Sequence, residues 1–186
     1  MTLPALRDNA LRRGTTIRIT IATLDPTNDW VMKAYADFRN NRASAGWTPE
    51  RARTEIYSSI LAAAVYKNEA PRLEIEFSLS PSLWLLSIDV SDRVILVTGQ
   101  NRGDSCLAIG RESELYQQWR DEMYSTYSGG RTIKPMLPGL RVADLPEPSE
   151  ETLTSILAFF SDLGLPLEQD KARDVATYMA RSHNYV

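Results

Sequence analysis

Alternating apolar and polar residues predict two strands in the first half of the chain. Ile17, Ile19 and Ile21 alternate with polar residues, which is the two-residue period of a half-buried strand. Pro26 ends this strand, because the residue before a proline avoids the helical region. The same alternation over residues 73–77 puts charged glutamates on one face, so we expect the second strand at a sheet edge.

Apolar residues three and four positions apart predict a helix after the first strand. Val31, Ala34, Tyr35 and Phe38 form one stripe, and the helix is expected to end before Gly46. A stripe of this kind packs on a sheet or on another helix. The first strand therefore continues into a helix that covers the sheet.

Capping residues mark two further helix starts. Thr48 precedes Pro49, and this pair predicts a helix with a hydroxyl cap and proline in its first turn. Ser149 is expected to cap the first of two helices that form a hairpin, with Gly164 and Pro166 in the turn.

Two apolar segments, 83–88 and 94–98, predict a β-hairpin with Asp89 and Asp92 in its turn. Both segments are apolar on both faces, so we expect them in the centre of a sheet. Residues 105–110 predict one more strand, and residues 112–126 predict a long helix.

These elements predict an α/β fold with a mixed sheet of about five strands flanked by helices, followed by a C-terminal helical hairpin. The α/β domain is expected over residues 1–127. A Pro- and Gly-rich surface linker is expected over 128–148, and the helical hairpin over 149–186.

Charge and cysteine content narrow the functional classes. The chain has 186 residues, a formal net charge of -3 and a sequence pI of about 5.3, so it has no overall attraction for phosphate backbones. Its single cysteine, Cys106, fits a reducing compartment, and no apolar stretch is long enough to cross a bilayer. We expect a cytoplasmic protein without metal, cofactor, membrane or nucleic-acid partner.

The hairpin resembles the signature hairpin of the phospholipase D-like superfamily, H-x-K-x4-D followed by a second strand. With Asp89 at the aspartate, Ser82 stands at the histidine and Trp84 at the lysine. The segments Leu11–Pro26 and Arg111–Tyr124 are similar to the early strand and closing helix of phospholipase D-like regulatory domains of actinobacteria. A simpler interpretation is an ordinary apolar hairpin with aspartates in its turn.

The resemblance implies a frame without the family's chemistry. Phosphodiesterases of that superfamily attack phosphorus with a histidine from each of two motifs in a lysine-rich cradle. Here Ser82 has no obvious base, Trp84 has no charge, and the single histidine, His183, is distant in sequence. We expect no catalysis, but a sensor or regulatory domain of bacterial regulation or defence that binds a protein partner or a small molecule. Self-association as a homodimer follows from the same resemblance.

Candidate ligand-binding residues follow from strand ends. Ligands of open α/β sheets bind beyond the carboxyl ends of the strands, and the candidates there are Asp25, Ser82, Trp84, Asn101 and Arg102. Trp84 would favour stacking on an aromatic ligand, and the alternative is that it only fills the space that a lysine left.

Two other functional classes stay open. One is a hydrolase of different chemistry that uses Asp25, Ser82 or Asp89. The other is a DNA-binding regulator in which the last helix reads DNA. Its candidate contacts are Lys171, Arg173, Tyr178 and Arg181. Acidic residues on the same helix would repel phosphate, so we favour a hairpin that packs on the sheet domain or on a partner subunit.

Overall fold

A computed structural model describes residues 3–14, 16–42, 46–83, 87–98 and 105–183. The helices are α1 (Leu3–Arg13), α2 (Asp29–Arg42), α3 (Pro49–Glu69), α4 (Glu114–Ser128), α5 (Glu150–Asp162) and α6 (Gln169–His183). The strands are β1 (Ile17–Leu24), β2 (Leu73–Ser80), β3 (Ser87–Val90), β4 (Val94–Thr98), β5 (Cys106–Gly110) and β6 (Arg131–Ile133). The chain is α/β, as the sequence predicts.

The strands form two sheets of three, so the prediction of one mixed sheet of about five strands is wrong. Sheet A has the order β1-β2-β6, and sheet B has the order β3-β4-β5. In sheet A, β1 runs parallel to β2, with Ile17 opposite Leu73, and β6 runs antiparallel to β2. β2 is therefore the middle strand of sheet A, and the hairpin strands do not pair with it. β6 pairs only with residues 77–79 of β2, so residues 73–76 have a ladder partner on the β1 side alone, and the expected edge strand holds for this part of β2 only.

The predicted hairpin is present, but it belongs to sheet B. β3 and β4 pair antiparallel, and Asp89 lies opposite Leu96 within the ladder rather than in the turn. The turn follows at Ser91, whose backbone amide and hydroxyl both donate to the Val94 carbonyl, at 3.0 and 2.9 Å. Of the two hairpin strands, only β4 is central, because β3 forms an edge of its sheet.

Helix α3 lies at the centre of the main core. It contacts α1, α2, α6 and β2, and its alanine-rich segment lets these elements approach closely. The predicted cap is confirmed, because the Thr48 hydroxyl accepts from the Arg51 amide at 3.1 Å. Fully buried side chains on α3 include Ile60, Leu61 and Val65. Burial of this helix orders most of the chain around it.

The segment over 128–148 packs along the main core. Its strand β6 joins sheet A, and its apolar side chains Leu137, Leu140 and Leu145 are buried. The Asn68 side chain of α3 donates to the carbonyls of Leu137 and Leu140, at 2.6 and 3.1 Å. These bonds satisfy backbone groups that have no ladder partner, which lets an irregular segment lie against a core.

The C-terminal helical hairpin is present with the predicted cap. The Ser149 hydroxyl accepts from the Thr152 amide at 3.1 Å, and Gly164 adopts a positive φ of 66° in the turn. Helix α6 packs on α3, where the buried Ser58 hydroxyl donates to the Val175 carbonyl at 3.0 Å. Over the ranges that the structure describes, no helix has both the length and the apolar character needed to span a membrane.

Candidate functional site

The carboxyl ends of β1 and β2 place two of the predicted site residues at one sheet edge. The Asp25 amide donates to the Ser80 carbonyl at 2.8 Å, directly after the two parallel strands end. The Ser82 amide donates to the Ser80 hydroxyl at 3.1 Å, and that hydroxyl in turn bonds to the Ser82 carbonyl. Asp25 and Ser82 therefore lie near each other, although Ser82 follows β2 rather than opening a hairpin strand.

The Asp25 carboxylate at this edge is engaged in local structure. Its Oδ1 accepts from the amide and the hydroxyl of Thr27, at 2.9 and 2.7 Å. The Nη2 of Arg131 lies 3.9 Å from the same oxygen. Arg131 also donates through Nη1 to the carbonyls of Leu163 and Gly164, at 2.8 and 3.4 Å. Asp25 thus closes a turn and joins a network that ties β6 to the end of α5.

Trp84, Asn101 and Arg102, the other three predicted site residues, lie outside the described residues. Their meeting with Asp25 and Ser82 stays a prediction.

The groups of the hydrolase alternative are divided between the two sheets. Asp89 is an exposed residue of β3 in sheet B, whereas Asp25 and Ser82 lie at the edge of sheet A. The hydrogen bonds and ion pairs of the described residues include none that joins Asp89 to either of them.

A groove between α3 and α6 brings together a different set of polar side chains. Its volume is about 390 Å³. The lining residues are Arg51 and Thr54 of α3, and Arg173, Asp174, Thr177, Tyr178 and Arg181 of α6. We refer to it as the α3–α6 groove. Three of its seven lining residues are arginines, and one is acidic.

The amphipathic pattern of α6 produces this lining. Arg173, Thr177 and Arg181 are spaced four residues apart, which puts them on one face of the helix. A separate stripe of small and apolar residues is buried against the core. Its members are Ala172, Val175, Ala176, Met179 and Ala180. Packing of the apolar stripe on the core leaves the arginine stripe along the groove.

Arg51 is held in place by stacking. Its guanidinium carbon lies 4.4 Å from the centroid of the Trp47 ring, and that of Arg39 lies 4.3 Å from the same centroid. Trp47 is only 6% exposed, whereas the Arg51 side chain is 48% exposed, so Arg51 stacks on a buried ring while part of it stays in contact with water. The nearest carboxylate oxygen, on Glu55, is 3.7 Å from Arg51 Nε. This leaves Arg51 ordered, with donors available to the groove.

Tyr178 faces Glu55 across the two helices. Its hydroxyl donates to Glu55 Oε1 at 2.7 Å. Burial, followed by this hydrogen bond, raises the pKa of Tyr178 well above its usual range. The phenol therefore stays protonated and acts as a donor at any physiological pH. Its bond also occupies the carboxylate nearest to Arg51.

The other two arginines of the groove differ in their contacts. Arg173 Nη2 lies 3.0 Å from Glu150 Oε1 at the start of α5, and Gln169 donates to the second Glu150 oxygen at 3.0 Å. Arg181 is exposed and has no ion pair or hydrogen bond within the part of the chain that the structure describes. One end of the groove therefore holds an internal counter-ion, and the other holds an unpaired cation.

Sequence reasoning found part of this site for a different purpose. Arg173, Tyr178 and Arg181 are the residues proposed above for reading DNA, and all three line the groove. Arg51 and Thr54 were missed, because charged and polar residues on a helix surface carry no local signal of a distant partner. The separation is large, since the Tyr178–Glu55 bond joins residues 123 apart.

The described residues contain no group of three or more histidine, cysteine, aspartate or glutamate side chains that could hold a metal ion. Comparison with known proteins gives no relative, because no protein-family model, no curated protein and no solved structure matches the chain. The function is therefore inferred from the chemistry of the groove.

Proposed function

We propose that the chain is a non-catalytic binding domain that holds an anionic ligand in the α3–α6 groove. The observation that carries this function is the presence of Arg51, Arg173 and Arg181 along one groove between α3 and α6. Guanidinium groups present fixed forks of donors that match the oxygens of phosphates and carboxylates.

A neutral group of the groove supports anion binding as well. The Thr177 hydroxyl lies between the two arginines of α6, whereas the Thr54 hydroxyl donates to the Glu50 carbonyl at 3.0 Å and the Tyr178 hydroxyl to Glu55. Side chains that donate hydrogen bonds complement a ligand that mainly accepts them. The one acidic lining residue, Asp174, has Lys171 Nζ within 3.9 Å, which reduces its repulsion of an anion.

The composition of the groove favours binding over reaction. A general base must be able to take up a proton at working pH, and a nucleophile needs such a base beside it. The raised pKa of Tyr178 opposes its ionisation, so the phenol is a poor base. A domain that holds a ligand unchanged is suited to sensing or regulation. The phospholipase D-like resemblance stays a prediction, and the proposed binding function does not depend on it.

The test is titration with pyrophosphate, monitored by isothermal calorimetry and by amide chemical shifts. We expect the shifts to map to α3 and α6, and Arg181→Gln to weaken binding about tenfold, as expected for loss of hydrogen bonds to a charged group. Arg18→Gln is the matched control, because Arg18 is an exposed arginine of β1 paired with Glu74.

Two results would overturn this function. The first is the absence of any shift in α3 and α6 up to millimolar pyrophosphate, phosphate and citrate. The second is an equal loss of affinity in the Arg181 and Arg18 variants, which would show attraction by overall charge. Binding of duplex DNA with shifts confined to α6 would favour the DNA-binding regulator instead.

A further inference from the structure

The arginines of the α3–α6 groove are distributed along its length. Arg173 and Arg181 are eight residues apart on α6, so their backbone positions are separated by about 12 Å at 1.5 Å per residue. Thr177 lies midway between them on the same helix face. One compact anion, such as a single phosphate, is too small to engage both ends at once.

The two ends of the α3–α6 groove differ in how closely their arginines are paired with carboxylates. At the Arg181 end, Arg181 has no partner in the described ranges, and Arg51 is ordered by Trp47. Arg51 Nε lies 3.7 Å from Glu55 Oε1, the oxygen that accepts from the Tyr178 hydroxyl, so Arg51 and Tyr178 lie beside each other. This distance is also the ion-pair contact of Arg51 at this end. An anion can therefore bind here without breaking any closer ion pair of the described residues.

The Arg173 end is occupied by the protein's own carboxylate. Glu150 is the first residue of α5, and both of its oxygens are used, one by Arg173 and one by Gln169. The pair is exposed, with side-chain accessibilities of 56% for Arg173 and 71% for Glu150. An exposed ion pair of this kind is weak and exchanges readily with another anion.

We infer, resting on the binding function proposed above, that the ligand carries a linear chain of phosphates, one end held by Arg51 and Arg181 and the other displacing Glu150 from Arg173. Phosphate suits this arrangement better than carboxylate. In a phosphate chain each internal unit presents two non-bridging oxygens and each terminal unit three, and these accept from the guanidinium donors at the two ends and from the Thr177 hydroxyl between them. Glu150 acts as an internal competitor that occupies the Arg173 end when the ligand is absent.

The experiment compares two neighbouring glutamates of the same helix turn. Glu150→Gln removes the competitor, and Glu151→Gln removes the charge of the next residue, which makes no ion pair in the described structure. We expect Glu150→Gln to raise the affinity for tripolyphosphate about two- to fivefold, the equivalent of one exposed ion pair. Its affinity for inorganic phosphate should not change, and Glu151→Gln should change neither.

A second variant tests whether the change in affinity comes from the Glu150–Arg173 pair or from a disturbance of helix α5. Arg173→Gln should weaken tripolyphosphate binding by a larger factor than inorganic phosphate binding, and so lower the preference for tripolyphosphate over phosphate. Equal tripolyphosphate affinities for Glu150→Gln and Glu151→Gln, with binding still mapped to the groove, would overturn the phosphate-chain inference alone. A gain in Glu150→Gln for glutarate, and none for tripolyphosphate, would also overturn it. Failure of every anion to shift α3 and α6 would overturn the proposed function itself.

Discussion

Sheets A and B have the same number of strands but very different surroundings. Sheet A is packed against α1, α3 and α4, and its core continues through α5 and α6. Sheet B packs on α4, and its buried cluster consists of Ile95, Val97, Ile109 and Tyr116. In β5 every residue except Ile109 is exposed. The two sheets therefore depend on hydrophobic burial to different extents.

The difference follows from how the strands pair. Parallel strands such as β1 and β2 are joined by crossover helices that cover the sheet. An antiparallel meander such as β3-β4-β5 needs only short turns, and one of its faces can stay in water. Apolar strands of similar composition can therefore border an extensive buried core, as in sheet A, or a small buried cluster, as in sheet B. We expect sheet A to open only on global unfolding and sheet B to open more easily.

The largest effect is expected for Phe160→Ala in the core behind sheet A. Phe160 is fully buried, and its ring packs edge-on against Tyr57 with centroids 4.9 Å apart. Removal of a buried phenylalanine costs about 3–5 kcal/mol of unfolding free energy. Urea denaturation should show this loss as a shift of the whole transition. A loss below about 1 kcal/mol would mean that this core relaxes freely around the missing ring. It would contradict the expectation that sheet A depends more on hydrophobic burial than sheet B.

The next effect is expected for Ile95→Ala in sheet B. Ile95 is fully buried, and the expected loss is about 2–3 kcal/mol because the small cluster around it can partly collapse. Hydrogen exchange should show lost amide protection in β3, β4 and β5 and unchanged protection in β2. Leu96→Ala, on the opposite and half-exposed face, is the control. Equal loss of protection in β2 would show that both sheets open as one unit.

A smaller, pH-dependent effect is expected for Tyr178→Phe on α6. Loss of the bond to Glu55 should cost about 1–2 kcal/mol at neutral pH. The pKa of Tyr178 is raised in the folded state above its ordinary value of 10.0. The stabilisation is therefore fully present below about pH 10 and declines as pH rises further, where the unfolded chain loses the proton first.

Urea denaturation from pH 7 to pH 11 checks this prediction. Burial also raises the pKa of Tyr35, Tyr57 and Tyr66, so the readout is the difference between the variant and the wild type. That difference should narrow above about pH 10. A constant difference across the range would mean that the Tyr178–Glu55 bond is not what links α6 to α3.

The smallest effect is expected for the ion pair on the surface of sheet A. Arg18 Nε lies 2.7 Å from Glu74 Oε2 between β1 and β2, and the two side chains are 80% and 49% exposed. A double-mutant cycle with Arg18→Ala and Glu74→Ala should give a coupling of about 0.5 kcal/mol or less. A coupling above about 1 kcal/mol would show that surface charge, and not only the core, distinguishes sheet A from sheet B.

Helix caps and other local features of the fold could be predicted from the sequence, but the pairing of strands into sheets could not. The caps at Thr48 and Ser149 were found because a hydroxyl beside the first helical turn acts within a few residues. β6 was missed because its three residues, in a short segment between a glycine pair and a proline, show no periodicity. In the structure β6 pairs with the end of β2, whereas the hairpin pairs with β5 in sheet B, and no local pattern in the sequence indicates this choice of partners.

The candidate site was also predictable within one helix but not between helices. The charged stripe of Arg173 and Arg181 on α6 is visible in the sequence, because its spacing is local. The contribution of Arg51 depends on the packing of α3 against α6 and on the stacking of Trp47. The sequence therefore shows which side chains share one face of a single helix. It does not show the groove, because the groove forms between two helices that lie far apart in the chain.

The central position of α3 has a consequence for synthesis on the ribosome. Helix α3 ends at Glu69, and α6, which covers one of its faces, begins about a hundred residues later at Gln169. At about 5–20 residues per second, the nascent chain exposes that apolar face for roughly 5–20 s before its partner emerges. Folding must therefore finish late in translation, and the growing polypeptide is a natural client for chaperones during that interval.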